Sequence, residues 1–230
     1  MGRRPGGELA ARPLHFIWIA DCSSSMASEG KIQALNQAIR EATPHMKQVA
    51  AENPNAEVLV RAVAFASGAR WHVADAMEVE DFRWPELQTS GYTAMGEALK
   101  LVAEQLDVEV MSKRALPPVL VLLSDGQPTD DFGAGLRELM SQPWGKKAVR
   151  IAIAIGADAD RDVLQHFIGH PEIQPLEANN PEGLVQHIRW ASTAVLQSVS
   201  SPASQLAQSQ GTVGNVAVPA APSVGVDDVW

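Results

Sequence analysis

The sequence predicts a doubly wound α/β fold, with a mostly parallel central sheet, one antiparallel edge strand and helices on both faces. Two observations carry this. Four short segments, His15–Ala20, Glu57–Phe65, Val119–Leu123 and Val149–Ile155, are largely apolar and β-branched, as strands buried on both faces must be. The longer stretches between them place apolar residues at helical spacing, and such alternation is what a parallel sheet covered by helices produces.

After the strand His15-Phe-Ile-Trp-Ile-Ala20, one helix face is marked by Ile32, Leu35, Ile39 and Met46. Pro44 falls inside that stretch, and its missing N–H predicts a kink or break there. Between Phe65 and Phe82 the pattern changes to a short strand pair, with Arg70-Trp-His-Val73 as the edge strand. Met95, Leu99, Val102 and Leu106 mark a second helix, and Leu136, Leu139 and Met140 a third. Val163, Leu164 and Phe167 give a fourth, while Leu184, Ile188, Ala191 and Val195 give a fifth. The domain is expected over residues 14–198, after an N-terminal extension at 1–13. From Ser201 onward Lys and Arg are absent and Ser, Ala, Gln, Gly, Val and Pro dominate, so residues 199–230 read as a flexible polar tail. The tail ends in Asp227-Asp228-Val-Trp230, which is either a silent terminus or an aromatic docking motif on a tether.

Composition narrows the function classes. Among 230 residues, 46% are hydrophobic and 20% charged, the balance of a folded chain. The net charge of −9 argues against nucleic acid and anionic membrane as partners, since both need clustered cations. The single cysteine, Cys22, excludes an internal disulfide and a Cys-based zinc site. The longest apolar runs are far shorter than the roughly 18 residues of a membrane span, and the first residues show no apolar leader segment. The expected location is therefore cytoplasmic.

In open α/β sheets, binding sites lie at the carboxyl ends of strands. After the first strand comes Asp21-Cys-Ser23-Ser-Ser25, and after the central strand Ser124-Asp125-Gly-Gln-Pro-Thr-Asp130-Asp131. A third loop, Thr89-Ser-Gly-Tyr-Thr93, opens the helix carrying Leu99. Two carboxylates with nearby hydroxyls form a hard-oxygen set that suits Mg²⁺, with Mn²⁺ or Ca²⁺ as alternatives. A metal held by so few carboxylates keeps residual positive charge and an open position. The acidic residues Asp21, Asp125, Asp130 and Asp131 share one rim, which would repel an acidic partner unless a divalent cation lay between them. Taken singly, each loop is also an ordinary turn, because Ser, Asp and Gly dominate turns and serve as helix N-caps. Agreement among three loops favours the metal site.

These pieces, Asp21-x-Ser23-x-Ser25, Thr93 in a Gly-x-Thr loop and Asp125 in Ser-Asp-Gly, resemble the metal-ion-dependent adhesion site of von Willebrand factor A domains. The resemblance implies direct metal contact from Ser23, Ser25 and Thr93, with Asp21 and Asp125 acting partly through water. Ser24 departs from the glycine common in the family, which puts the loop's backbone freedom in question. More narrowly, Pro118–Asp131 and Lys147–Gly156 resemble bacterial TerY-like proteins. That branch implies a tellurite-resistance or stress-response setting and a protein kinase or PP2C-type phosphatase as companion. The function expected from the resemblance is a non-enzymatic adapter, in which a partner's Asp or Glu enters the metal's free position.

Rival chemistries fare less well. A metal-assisted phosphohydrolase of the Asp-x-Asp type would need an acid where Ser23 stands. The loops also lack the glycines and lysine of a phosphate cradle, and Ser124-Asp-Gly is no serine-hydrolase elbow. Cys22 would need a nearby base to act as a nucleophile, and the adjacent Asp21 disfavours its thiolate. His166 and His170 are four residues apart, but Gly169 and Pro171 end the helix between and after them. The tryptophans read as packing residues, with Trp144 a candidate partner contact because it falls in a loop. A structural scaffold with a silent metal site remains the other alternative.

Overall fold

The computed structural model describes residues 11–200, 211–213 and 216–223. Strand β1 (Arg12–Asp21) leads through a short 3-10 segment (Ser24–Gly30) into α1 (Lys31–Glu52). Then come β2 (Ala56–Phe65), β3 (Ala69–Glu78), α2 (Met95–Gln105), β4 (Val119–Ser124), α3 (Phe132–Ser141) and α4 (Pro143–Lys147). The chain continues with β5 (Val149–Ile155), α5 (Arg161–Ile168), β6 (Leu176–Ala178) and α6 (Pro181–Trp190). A π-helical turn (Ala191–Val195) joins α6 to α7 (Leu196–Ser200), and β7 (Gly211–Val213) pairs antiparallel with β8 (Val216–Val218).

Six strands form one sheet in the order β3-β2-β1-β4-β5-β6. Every neighbouring pair is parallel except β2 with β3, so the predicted architecture is the one observed. Residue alternation along β1 explains the two helical layers. Phe16, Trp18 and Ala20 belong to the core that includes α1 and α6, whereas Ile17 and Ile19 belong to the core that includes α2, α3 and α5. The chain leaves β1 for β2 on one side, and β4 joins β1 on the other. Strand order therefore reverses between β1 and β4, and their carboxyl ends open a crevice.

Four details depart from expectation. Helix α1 runs unbroken through Pro44. Its buried residues Ile32, Leu35, Ile39 and Met46 flank the proline, and at about 2 kcal/mol each they outweigh the roughly 3 kcal/mol cost of an interior proline. β6 is a parallel edge strand that periodicity could not show, because three residues, Leu-Glu-Ala, are too few to display alternation. Trp144 is not a surface contact: it sits in α4, 5% exposed, in the same core as Leu139. Pro143 starts that helix and so converts the expected loop into a turn that points the ring inward. Finally, the segment expected as a polar tail includes the β7–β8 hairpin. Val218 is buried, and the Trp190 indole donates to the Ala220 carbonyl at 3.0 Å. Composition could not signal this, since one valine and one carbonyl suffice for the contact. Asp227, Asp228 and Trp230 lie outside the described residues.

Among the described residues no helix is long and apolar enough to cross a membrane.

Helices α2 and α3 meet through glycines. A Cβ on Gly135 would lie 2.3 Å from the Gly96 carbonyl oxygen, and one on Gly96 would lie 2.5 Å from the Asp131 carbonyl oxygen. Backbone meets backbone here, so no side chain can swing aside. Gly135→Ala is expected to destabilise the domain by about 2–3 kcal/mol through overpacking, measured as a lower midpoint in chemical denaturation.

Candidate metal centre

The site is built from the end of β1 upward. Asp21 is fully buried, and both of its carboxylate oxygens are engaged. Its Oδ1 accepts the Ser23 backbone N–H at 2.8 Å, and its Oδ2 accepts the Ser124 hydroxyl at 2.5 Å. The first bond is an Asx turn, the local reason the chain bends on leaving the strand. The turn brings the Ser23 and Ser25 hydroxyls to 2.9 Å from each other. Ser25 Oγ then donates to Asp125 Oδ1 at 2.7 Å, across to the end of β4.

Thr93 reaches the same place from the third loop. Its N–H donates to Thr129 Oγ1 at 3.1 Å, and its carbonyl accepts the Thr129 N–H at 2.9 Å. A Cβ on Gly126 would stand 3.7 Å from Thr93 Oγ1 and 3.8 Å from Ser25 Oγ. Both hydroxyls thus line one small space, which a side chain at 126 would fill. The loops are laced together as well: Ser24 N–H donates to the Gly91 carbonyl at 3.1 Å, and Ser90 N–H donates to the Cys22 carbonyl at 2.8 Å. Gly91 has φ +68, and a Cβ there would lie 2.0 Å from Ser67 Oγ, so only glycine fits. Among the described residues Glu29 is the only non-glycine with positive φ. Ser24 therefore needs no glycine freedom.

The donor set fits a hard divalent cation. Three hydroxyls and one Asp125 oxygen converge, while Asp21 orients the loop with oxygens already bonded. Among the described residues no group of three or more His, Cys, Asp or Glu could hold a metal. The hydroxyl-rich character thus differs from the carboxylate cage of tight calcium sites and the His/Cys sets of structural zinc.

Other expectations are sorted by the same geometry. Asp130 and Asp131 do not simply add charge to the rim. Asp130 accepts the Gly96 and Glu97 N–H groups at 2.9 and 2.8 Å, capping α2 from another loop. Asp131 caps α3 by accepting the Ala134 N–H at 2.8 Å. Helix N-termini offset both charges in part, so the rim is less acidic than a count of carboxylates suggests. Cys22 is buried with its Sγ 3.2 Å from the Phe65 carbonyl, and burial pushes its thiol pKa up. His166 and His170 share no helix face, because α5 ends at Gly169.

Two contributors were not singled out by sequence. Ser124 holds Asp21, and Lys31 Nζ lies 3.1 Å from Asp125 Oδ2 with both residues buried. The signal for Lys31 was its position: a cation opening a helix works against the helix dipole and calls for a local anion.

The fold and this hydroxyl–carboxylate crevice together define an α/β module of the adhesion-site type. The chain belongs to the von Willebrand factor type A domain family, whose model matches residues 17–186. No curated protein matches the sequence. Among solved structures, a von Willebrand factor type A protein from Catenulispora acidiphila is similar, with 19% identity and a TM-score of 0.60 over 82% of this chain and 43% of that one. Proximal thread matrix protein 1 from the mussel byssus, with its adhesion-site motif occupied by zinc, is 18% identical with a TM-score of 0.59, over 82% of this chain and 46% of that one. The pilus adhesin SpaC from Lactobacillus rhamnosus GG is 13% identical with a TM-score of 0.65, over 82% of this chain and 31% of that one. The chain thus spans less than half the length of each of these three proteins. Domains of this family commonly mediate protein–protein adhesion through a divalent-metal site and are typically non-enzymatic.

Burial raises the Asp21 pKa to about 6, against the opposing hydrogen bonds from Ser124 and Ser23 and with a further upward push from Asp125. A carboxyl whose folded pKa lies above its unfolded value favours folding below the unfolded value, and that contribution is lost as pH rises through the folded one. In chelator, stability is expected to fall by roughly 3 kcal/mol between pH 3 and pH 7 from this group. Urea denaturation across that range should show the fall, and Asp21→Asn should flatten it.

Proposed function

We propose that this chain is a non-enzymatic protein-binding adapter that captures a partner's Asp or Glu through a Mg²⁺-loaded adhesion site. Ser23, Ser25, Thr93 and Asp125 would hold the ion, with Asp21 acting from behind through Ser23 and Ser124. A bound divalent cation supplies positive charge and an open coordination position for a carboxylate oxygen. The observation that carries the reading is the convergence of hydroxyls from two loops and Asp125 from a third around the space beside Gly126. Residues 14–198 would be the interaction module.

The protein's own residues would do the rest. Asp21 fixes the turn that sets Ser23 and Ser25, and the Thr93–Thr129 pairing fixes the third loop against the β4 loop. Tyr92, 71% exposed and adjacent to Thr93, offers an aromatic contact at the rim. An exposed aromatic ring next to a proposed ligand supports a protein surface as the partner. The phosphohydrolase alternative is weakened by the burial of Asp21, whose carboxylate is withdrawn from the surface that a substrate phosphorus would approach. The TerY-like stretches Pro118–Asp131 and Lys147–Gly156 support a cytoplasmic, tellurite-resistance-like stress-response setting, with a protein kinase or PP2C-type phosphatase as partner.

Titration calorimetry should show Mg²⁺ and Mn²⁺ binding by the native chain and none by Thr93→Ala, whose far-UV circular dichroism should be unchanged. Pull-down from the native host should be lost in EDTA and with Thr93→Ala. Tyr92→Ala should weaken capture by about tenfold without altering metal binding. Capture that survives chelation would remove this mechanism.

A further inference from the structure

We propose that Lys31 is a built-in cation that holds the metal-free site together and weakens its grip on a divalent ion, so that occupancy follows metal concentration. The inference rests on the metal-site reading above and adds a residue that opposes the ion rather than binding it.

Three observations converge on this residue. Lys31 is 5% exposed and Asp125 1% exposed, and their charges meet at 3.1 Å. Pairs such as Arg40–Glu86 and Arg161–Glu177 have exposed partners instead, so this pair is held out of water where the others are not. Burying an ammonium is costly unless it is closely paired. Second, Lys31 stands at the first position of α1, the end of the helix where a cation is disfavoured. Third, the chain enters that position through two successive left-handed residues, Glu29 at φ 55 and Gly30 at φ 75. A non-glycine in that region carries strain of order 1 kcal/mol. Helix dipole, desolvation and backbone strain all oppose the placement, and the ion pair with Asp125 is the interaction that offsets them.

The pairing divides the Asp125 carboxylate. Oδ2 accepts from Lys31, and Oδ1 faces Ser25 and the space beside Gly126. Lys31 sets one positive charge against the buried Asp125 carboxylate before any metal arrives. An entering divalent ion then meets a carboxylate already half neutralised and a fixed ammonium behind it. Removing the lysine charge leaves the empty site with uncompensated anions and the loaded site better balanced. Metal-free stability falls while metal affinity rises.

Calorimetry with Mn²⁺ on the full chain, with thermal melts in EDTA and in saturating Mn²⁺, tests this. Lys31→Met and Lys31→Gln should bind Mn²⁺ at least about tenfold tighter, since either change removes a unit positive charge that repels a divalent ion a few ångströms away. Lys31→Arg keeps the charge and should bind within about threefold of the native chain. In EDTA, Lys31→Met should melt roughly 10 °C lower, and adding Asp125→Asn should recover most of the loss. A neutral variant that folds only with Mn²⁺ supports the proposal equally. Native binding that the neutral variants leave unchanged or weaken overturns the role of Lys31 alone. Absence of Mn²⁺ binding in the native chain and every variant overturns the metal-site reading and this inference with it.

Discussion

The desolvation of two carboxylates at the point where the strand order reverses is the constraint on which the rest of the site depends. Asp21 ends β1, Asp125 directly follows the adjacent parallel strand β4, and both are withdrawn from water. Charges placed so are tolerable only with compensation. Asp21 finds a backbone N–H and the Ser124 hydroxyl, whereas Asp125 finds the Ser25 hydroxyl and the Lys31 ammonium. The turn after β1, the entry into α1 and the end of β4 all supply those partners. A cluster of anionic and hydroxyl oxygen facing one small space is also what a hard cation requires, so structural compensation and binding chemistry use the same atoms.

Rigidity in this crevice comes from crosslinks between loops rather than from the loops themselves. Each loop is short of regular hydrogen bonds, yet Ser24 donates to Gly91, Ser90 to Cys22 and Thr129 to Thr93. Gly91 and Gly126 matter because bulk at either position would force the loops apart or fill the space between them. Side chains on such a frame are positioned before any ligand arrives, which reduces the entropy lost on binding.

The sheet was legible from sequence because its strands are apolar on both faces, a pattern that survives without knowledge of tertiary contacts. The candidate donors were legible because loops after strands carry sites in this architecture, and Ser, Thr and Asp at those places are conspicuous. Lys31 was hidden because its partner is 94 residues away and a lysine in a helix reads as solvent-facing. Asp130 was misread for a similar reason: a carboxylate in an acidic run looks like free charge until the distant helix it caps is seen. Pro44 was given its local meaning, but the packing of α1 on both sides of it decided the outcome. In each case a local rule met a long-range contact of larger energy.

The two N–H groups that Asp130 takes from the start of α2 have a mechanical meaning. Asp130 belongs to the same loop as Asp125, while α2 begins two residues after Thr93. The α2–α3 seam is welded by glycines with no slack between backbones. Any shift of the β4 loop would therefore be transmitted as a pull on the α2 helix and, through the seam, on α3. The crevice and that flank of the domain form one lever, with Asp130 as its pin.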